Sequence, residues 1–300
     1  MITYFLGANS RGGFASLYAA FPQDENAFLR ILKGGPGTGK STLLRSVAAA
    51  AERRGLEVHR VLCSGDPDSL DGVYVPSLGL AWADGTAPHA LEPKLFGVTG
   101  DYLDLGRYLS RPFGAGEKAE LLQLQEQYRK FYKAAYHALA ACADAGWTEG
   151  ESPADPLAEL DSLPQRDKSP KLSRCFLSAV SCKGLLQLSL PEDYRVLPAS
   201  SAGLRRAADL VSHRGWDTVR CPWPLDPAEP EWLLLPEAKL ALHARRFPSQ
   251  EAKARLDRAI EALRQAKTIH DAIEARYRPH MDFGGLSEEA ESQIRLAFPE

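Results

Sequence analysis

Three hundred residues at 32.8 kDa, 44% hydrophobic and 25% charged, are about twice the usual domain length, so two folded units or one large α/β unit with additions is expected. This composition excludes a disordered chain and a disulfide miniprotein. With 36 basic against 39 acidic residues, the chain has no general attraction to nucleic acid or anionic lipid. The five cysteines, Cys63, Cys142, Cys175, Cys182 and Cys221, form no CxxC pair, which fits reduced thiols in a cytoplasmic protein. Neither a signal-like start nor an apolar window of about 20 residues is evident, so export and membrane insertion are not expected.

The first informative element is Phe28–Leu32, a short apolar run of the kind that forms a buried strand. It empties into Lys33–Thr42, where Gly34–Ser41 fits the pattern GxxxxGK[ST]. Glycines at 35, 37 and 39 allow backbone angles that turn successive N–H groups toward one anion, and Thr38 and Thr42 complete the same loop. Lys40 is placed to reach the β- and γ-phosphates of a nucleotide, and the Ser41 hydroxyl to ligate Mg²⁺. Leu43–Arg54, Ala-rich and free of breakers, then reads as the helix whose positive end faces the phosphates.

A strand expected at Glu57–Leu62 leads into Cys63–Gly72, and another at Leu78–Ala83 ends at Asp84. A carboxylate closing a buried strand is a second metal contact, so Asp84 joins Ser41 as a metal candidate. Asp68 follows the second strand, where an acceptor hydroxyl or an attacking water could be oriented; Asp71 is its alternative, and capping of a short helix entering Leu70 is the plainer reading. His89, five residues past Asp84, could contact the γ-phosphate or position water, or could simply stabilise its loop. Arg11, Arg107 and Arg111 are each available as an extra cation, with nothing to choose between them.

Lys33–Thr42, Cys63–Gly72, Asp84–His89 and Glu92–Lys94 together resemble the tandem P-loop ATPases found mainly in Firmicutes, a family with two nucleotide-binding halves on one chain and no established substrate. The resemblance is sharp over residues 1 to about 110 and faint beyond about 170. It implies a P-loop NTPase-like parallel sheet flanked by helices, duplicated, and ATP as the nucleotide. An internal repeat supports the duplication. At offset 171, Phe5, Ser10 and Gly13 match Phe176, Ser181 and Gly184. At offset 160, Leu44, Arg45, Asp66 and Pro67 match Leu204, Arg205, Asp226 and Pro227. At offset 134, Arg111 and Phe113 match Arg245 and Phe247.

Offset 160 carries Gly34, Gly37, Gly39 and Lys40 onto Tyr194, Leu197, Ala199 and Ser200, so the copy lacks the phosphate loop. The offset then drops by 26, the length of Asp84–Leu109, which implies that the copy also lacks that stretch. Asp66 is read as a turn residue because it persists as Asp226 where no nucleotide is held. Long helices with apolar residues at three-and-four spacing are expected over Glu117–Ala145 and Gln250–Tyr277, pairing across the repeat. Trp223 is expected to pack.

The organisation expected is therefore an active half over 1–145, a Gly/Pro/Ser-rich linker over 146–170 and a degenerate half over 171–300, forming an intrachain pseudo-dimer. Its expected chemistry is ATP hydrolysis with Mg²⁺ at one site. Two alternatives stay open: a kinase for a small hydroxyl-bearing substrate, and a nucleotide-gated module that turns over slowly or never, with an unknown client.

Overall fold

The computed structural model describes residues 2–150 and 156–299. The first half runs through β1 (Ile2–Phe5), the hairpin β2 (Gly7–Ser10) and β3 (Gly13–Ser16), β4 (Phe28–Lys33), α1 (Lys40–Glu52), β5 (His59–Leu62), β6 (Leu70–Val75), β7 (Leu80–Asp84), β8 (Gly100–Asp104) and α2 (Ala115–Ala143). The chain continues through β9 (Trp147–Glu149), α3 (Pro156–Leu160), β10 (Leu172–Arg174), the hairpin β11 (Ser178–Ser181) and β12 (Gly184–Gln187), β13 (Arg195–Pro198) and α4 (Ser201–His213). It closes with β14 (Thr218–Pro222), β15 (Pro230–Leu235), β16 (Leu240–His243), β17 (Arg246–Pro248), α5 (Gln250–Tyr277) and α6 (Phe283–Ala297).

This is a mixed α/β fold with two main sheets. The first has the order β1-β5-β6-β7-β4-β8 and the second β10-β14-β15-β16-β13. Strand for strand the second repeats the first, except that the edge strand β8 has no counterpart. The expected all-parallel sheet is corrected in one place per half: β6 and β15 run antiparallel to both neighbours. Connection length explains it. Only Cys63–Ser69 joins β5 to β6, and Pro76–Gly79 joins β6 to β7, too short for the crossover a parallel pair needs. For the same reason Leu70 opens a strand and not a short helix.

The pseudo-twofold is visible in the hydrogen bonds. Phe5 and its equivalent Phe176 exchange both backbone bonds, at 2.9 and 2.8 Å. Arg11 N–H donates to Leu225 O at 2.9 Å, and their equivalents Cys182 and Gly65 repeat the bond at 3.2 Å. One apolar core lies between the sheets, with Ile31 and Ala83 of the first facing Trp232 and Leu234 of the second. Outside it, α1 covers the first sheet through Leu44 and Val47, and α4 covers the second through Leu204 and Val211.

The two long helices pair antiparallel. Cys142 lies against Ala252 near one end, Tyr128 against His270 midway, and Glu120 against Arg276 near the other. Beyond each helix the chain changes sides. After α2, β9 pairs with β17 and α3 buries Leu160 against α4; after α5, Met281 bridges Leu109 and α6 packs Leu286 and Phe298 against α1. Within the expected linker 146–170, of which 151–155 lie outside the described residues, β9 and α3 pack on the second half, while α6 packs on the first. Replacing fully buried Leu160 or Leu44 by Ala would cost about 2–5 kcal/mol at either exchange. Among the described residues, no helix is long and apolar enough to cross a membrane.

Candidate functional site

At the C-terminal end of the first sheet, β4 ends at Lys33 and α1 begins at Lys40, leaving Gly34–Gly39 as a six-residue loop. Gly37 and Gly39 take φ of 73° and 84°, a left-handed region that side chains resist. Gly39 is the N-cap of α1, so the cap offers no side chain to the first-turn N–H groups. The helix end is open to an anion. Buried Thr38 holds the loop by donating its hydroxyl to Gly35 O at 2.9 Å, while Thr42 lies exposed on the first turn of α1.

The Lys40 ammonium donates to Gly34 O and Gly35 O at 2.8 Å and stands 3.7 Å from Asp84 Oδ2. Asp84 Oδ1 accepts from Thr86 N–H at 2.8 Å and from the Thr86 hydroxyl at 2.5 Å. The Ser41 hydroxyl accepts from Leu70 N–H at 3.0 Å. Ser41 and Asp84 offer hard oxygen donors of the type Mg²⁺ prefers, and the uncapped glycine-lined loop beside them suits a polyphosphate. On chemistry and shape, these residues fit both groups.

Two features of the site come from outside the motif. Glu274 of α5 accepts from Gly37 N–H at 3.3 Å, and the Tyr277 ring lies within 3.1–3.5 Å of where a Cβ on Gly35 would sit. A carboxylate thus occupies part of the amide nest, supplied by the opposite half. His270 and Asp271 stand beside Glu274, each with a ligating atom within 4.8 Å of the others, and Lys267 bonds both Asp271 and Asp66.

His89 is buried, with Nε2 3.2 Å from Asp71 Oδ2, which also accepts from the Tyr18 hydroxyl at 3.0 Å. The rings of Phe14 and Tyr18 lie 5.1 and 4.4 Å from its own. Burial acts to lower the His89 pKa, but the hydrogen bond and charge of Asp71 outweigh it, and the imidazole is raised above its usual value, with Asp84 helping and Lys40 opposing. Its Nδ1 is buried and has no hydrogen-bond partner among the described residues. Close by, burial pushes the Cys63 thiol and the Tyr132 phenol well up, yet both keep accessible surface.

The fold therefore brings Gly35, Gly37, Thr38, Gly39, Lys40, Ser41, Asp84 and His89 to one end of the sheet, and adds Asp71 as the partner of His89. Asp68 does not join them. It is exposed, bonds Lys183 of the second half at 2.5 Å, and has its carboxyl lowered chiefly by that bond. Asp66 forms the expected turn, accepting from Ser69 N–H at 2.8 Å as Asp226 does from Glu229 N–H at 2.9 Å. Arg11 is bound to Asp144 and Asp226, and Arg107 to Glu289. Trp223 is buried against Trp147. Glu274 and Tyr277 escaped sequence reading, since on their own helix they are ordinary positions of a charged, amphipathic stretch.

The second half differs from what offset 160 implied. Phe28 stands beside Leu80 in the first sheet, and Arg195 beside Leu240 in the second. Arg195 is thus the equivalent of Phe28, 167 residues on, while Leu204 of α4 follows its equivalent Leu44 of α1 by 160. The loop was not replaced by Tyr194–Ser200. Seven residues are missing, and only Ala199–Ser200 joins β13 to α4. Ser200 caps α4 by accepting from Gly203 N–H at 3.0 Å, and the Glu149 carboxylate accepts from Ser201 N–H at 3.1 Å. That helix end is already satisfied. No protein-family model, curated protein or solved structure matches the chain.

Proposed function

We propose that the chain is a duplicated P-loop NTPase that binds ATP with Mg²⁺ in the Gly34–Ser41 loop of its first half and hydrolyses it there, the second half serving as scaffold and supplier of α5. One observation carries the reading: two equivalent strand-to-helix junctions differ in that one has a six-residue glycine loop with Lys40 folded into it and an uncapped helix end, and the other has two residues and a serine cap. Selection of ATP over other nucleotides rests on the family resemblance.

In this reading, Ser41 and Asp84 would hold Mg²⁺, which would supply charge neutralisation at the phosphates. The loop amides and the Lys40 ammonium bind the same oxygens, and Lys40 leaves Gly34 O and Gly35 O to do so. Glu274 must leave Gly37 N–H when a phosphate enters, because two anions cannot share that donor. Water attacks the γ-phosphorus, the bond to the β-γ bridging oxygen breaks with its electron pair leaving on ADP, and the proton of the water passes to neutral His89 through Nδ1. Asp71 then stabilises the imidazolium.

Phosphate release from ATP alone tests this: steady release that disappears in Lys40→Ala is expected, and undiminished release in that variant contradicts it. Phosphoryl transfer to a small alcohol is a second reading, favoured by the buried cluster of Asp71, His89 and Tyr18. ADP formation that requires an added hydroxyl compound would select it.

A further inference from the structure

Equivalent positions in the two halves carry opposite electrostatic solutions. In the first, Arg60 on β5 donates from Nε and one terminal nitrogen to Glu52 of α1 at 2.7–3.0 Å. Its strand neighbour across β1 is Thr3. In the second half Arg220 takes the place of Arg60, Ser212 that of Glu52, and Arg174 that of Thr3. Arg220 keeps one weak bond, to the Ser212 hydroxyl at 3.2 Å, and its Nε is buried with no partner among the described residues. Arg174 and Arg220 are register partners on adjacent strands, an arrangement that like charges disfavour.

Beside them, between α4, the β10–β14 edge and the loop Pro227–Pro230, lies a cavity of about 430 Å³. Its lining is apolar at Leu204, Ala208 and Trp232. The other charges on it are Arg205, which is bound to Glu229 at 2.9 Å, and exposed Asp209, which has no ion pair among the described residues. Two arginines therefore face one free carboxylate, and an orphaned guanidinium edge stands where the sister half has a glutamate. A buried donor left unpaired destabilises the fold, and an anionic ligand would satisfy it.

We propose that this cavity binds a small organic carboxylate, its anionic group on Arg220 in the place Glu52 takes beside Arg60, its apolar part against Leu204 and Ala208. The site is independent of the glycine loop. It gives the half that lost its phosphate loop a ligand of its own.

The test titrates the full chain with sodium butyrate, and separately with sodium phosphate, against sodium chloride at equal ionic strength, following the Arg220 ¹Hε–¹⁵Nε resonance and the melting temperature. Saturable movement with butyrate is expected in the wild type. In Ser212→Glu, which rebuilds the Arg60–Glu52 pair internally, the melting temperature should rise without ligand and butyrate affinity should fall at least ten-fold; Arg220→Gln should lose the response. No saturable response to butyrate, a response to phosphate alone, or undiminished butyrate affinity in both variants would overturn the proposal.

Discussion

The two strand-to-helix junctions of this chain make an internal controlled comparison. Around Gly34–Ser41 and Ala199–Ser200 the strand and helix stand in equivalent places, but the first junction also has the edge strand β8 beside β4 and Asp84 beside Lys40, so the loop and its neighbours together set the difference in chemistry. The α1 end has no side-chain cap, and a carboxylate from the other half accepts from Gly37 N–H in the loop before it. The α4 end satisfies itself locally with Ser200 and Glu149. An open helix end is a binding device; a capped one is a structural joint. The buried acids carry the same lesson. Asp71 has His89 and Tyr18. Its equivalent Glu231 has Ser178 at 2.6 Å, and burial raises it to about 7.

Outside the glycine loop, the largest effect is expected at His89. Changing it to Gln should lower ATP turnover on the order of 100-fold with ATP affinity retained, measured by phosphate release and equilibrium binding. Turnover should rise with pH as His89 loses its proton, with an inflection above that of an ordinary histidine, and Asp71→Asn should move the inflection down, since the carboxylate stabilises the imidazolium. An inflection unmoved in Asp71→Asn would remove His89 from the mechanism.

Glu231 should show next. Because its folded pKa lies above its ordinary value, its contribution favours the fold at low pH and is lost as pH rises through about 7. Glu231→Gln should abolish that loss and stabilise the protein at pH 8 by up to about 3 kcal/mol, read from urea unfolding at pH 5 and 8. Equal stability changes at the two pH values would contradict the assignment. The third effect is smaller. Glu274→Ala frees Gly37 N–H and should tighten ATP binding about five-fold, the worth of roughly 1 kcal/mol of hydrogen bond, whereas weaker binding would make Glu274 a nucleotide contact. The smallest is Asp68→Ala, which should leave turnover unchanged; a large loss would restore Asp68 to the chemistry.

Local patterns in the sequence revealed local chemistry. Gly34–Ser41, the flanking strand and α1, the long helices and Asp84 all follow from spacing within a few residues. The antiparallel β6 did not, because Leu70–Val75 is buried on both faces and has no alternation to mark it. The exchanges of α3 and α6 were hidden for another reason: each buries its apolar side against a helix more than 40 residues away. The repeat was detectable by offset, but a fixed offset cannot register a deletion inside a strand-to-helix turn. Only the pairing of Arg195 with Leu240 revealed that the second loop is absent. His89 was visible as a candidate, and its alliance with Asp71 required the fold.

Titrating Mg·ATP into the full chain by calorimetry, with Lys40→Ala as the comparison, asks whether Gly34–Ser41 is a single nucleotide site. One nucleotide per chain is expected, with a loss of affinity in Lys40→Ala on the order of 100-fold, from about 3 kcal/mol of charge-assisted hydrogen bonding. Two nucleotides per chain, or one bound equally well by Lys40→Ala, would contradict it.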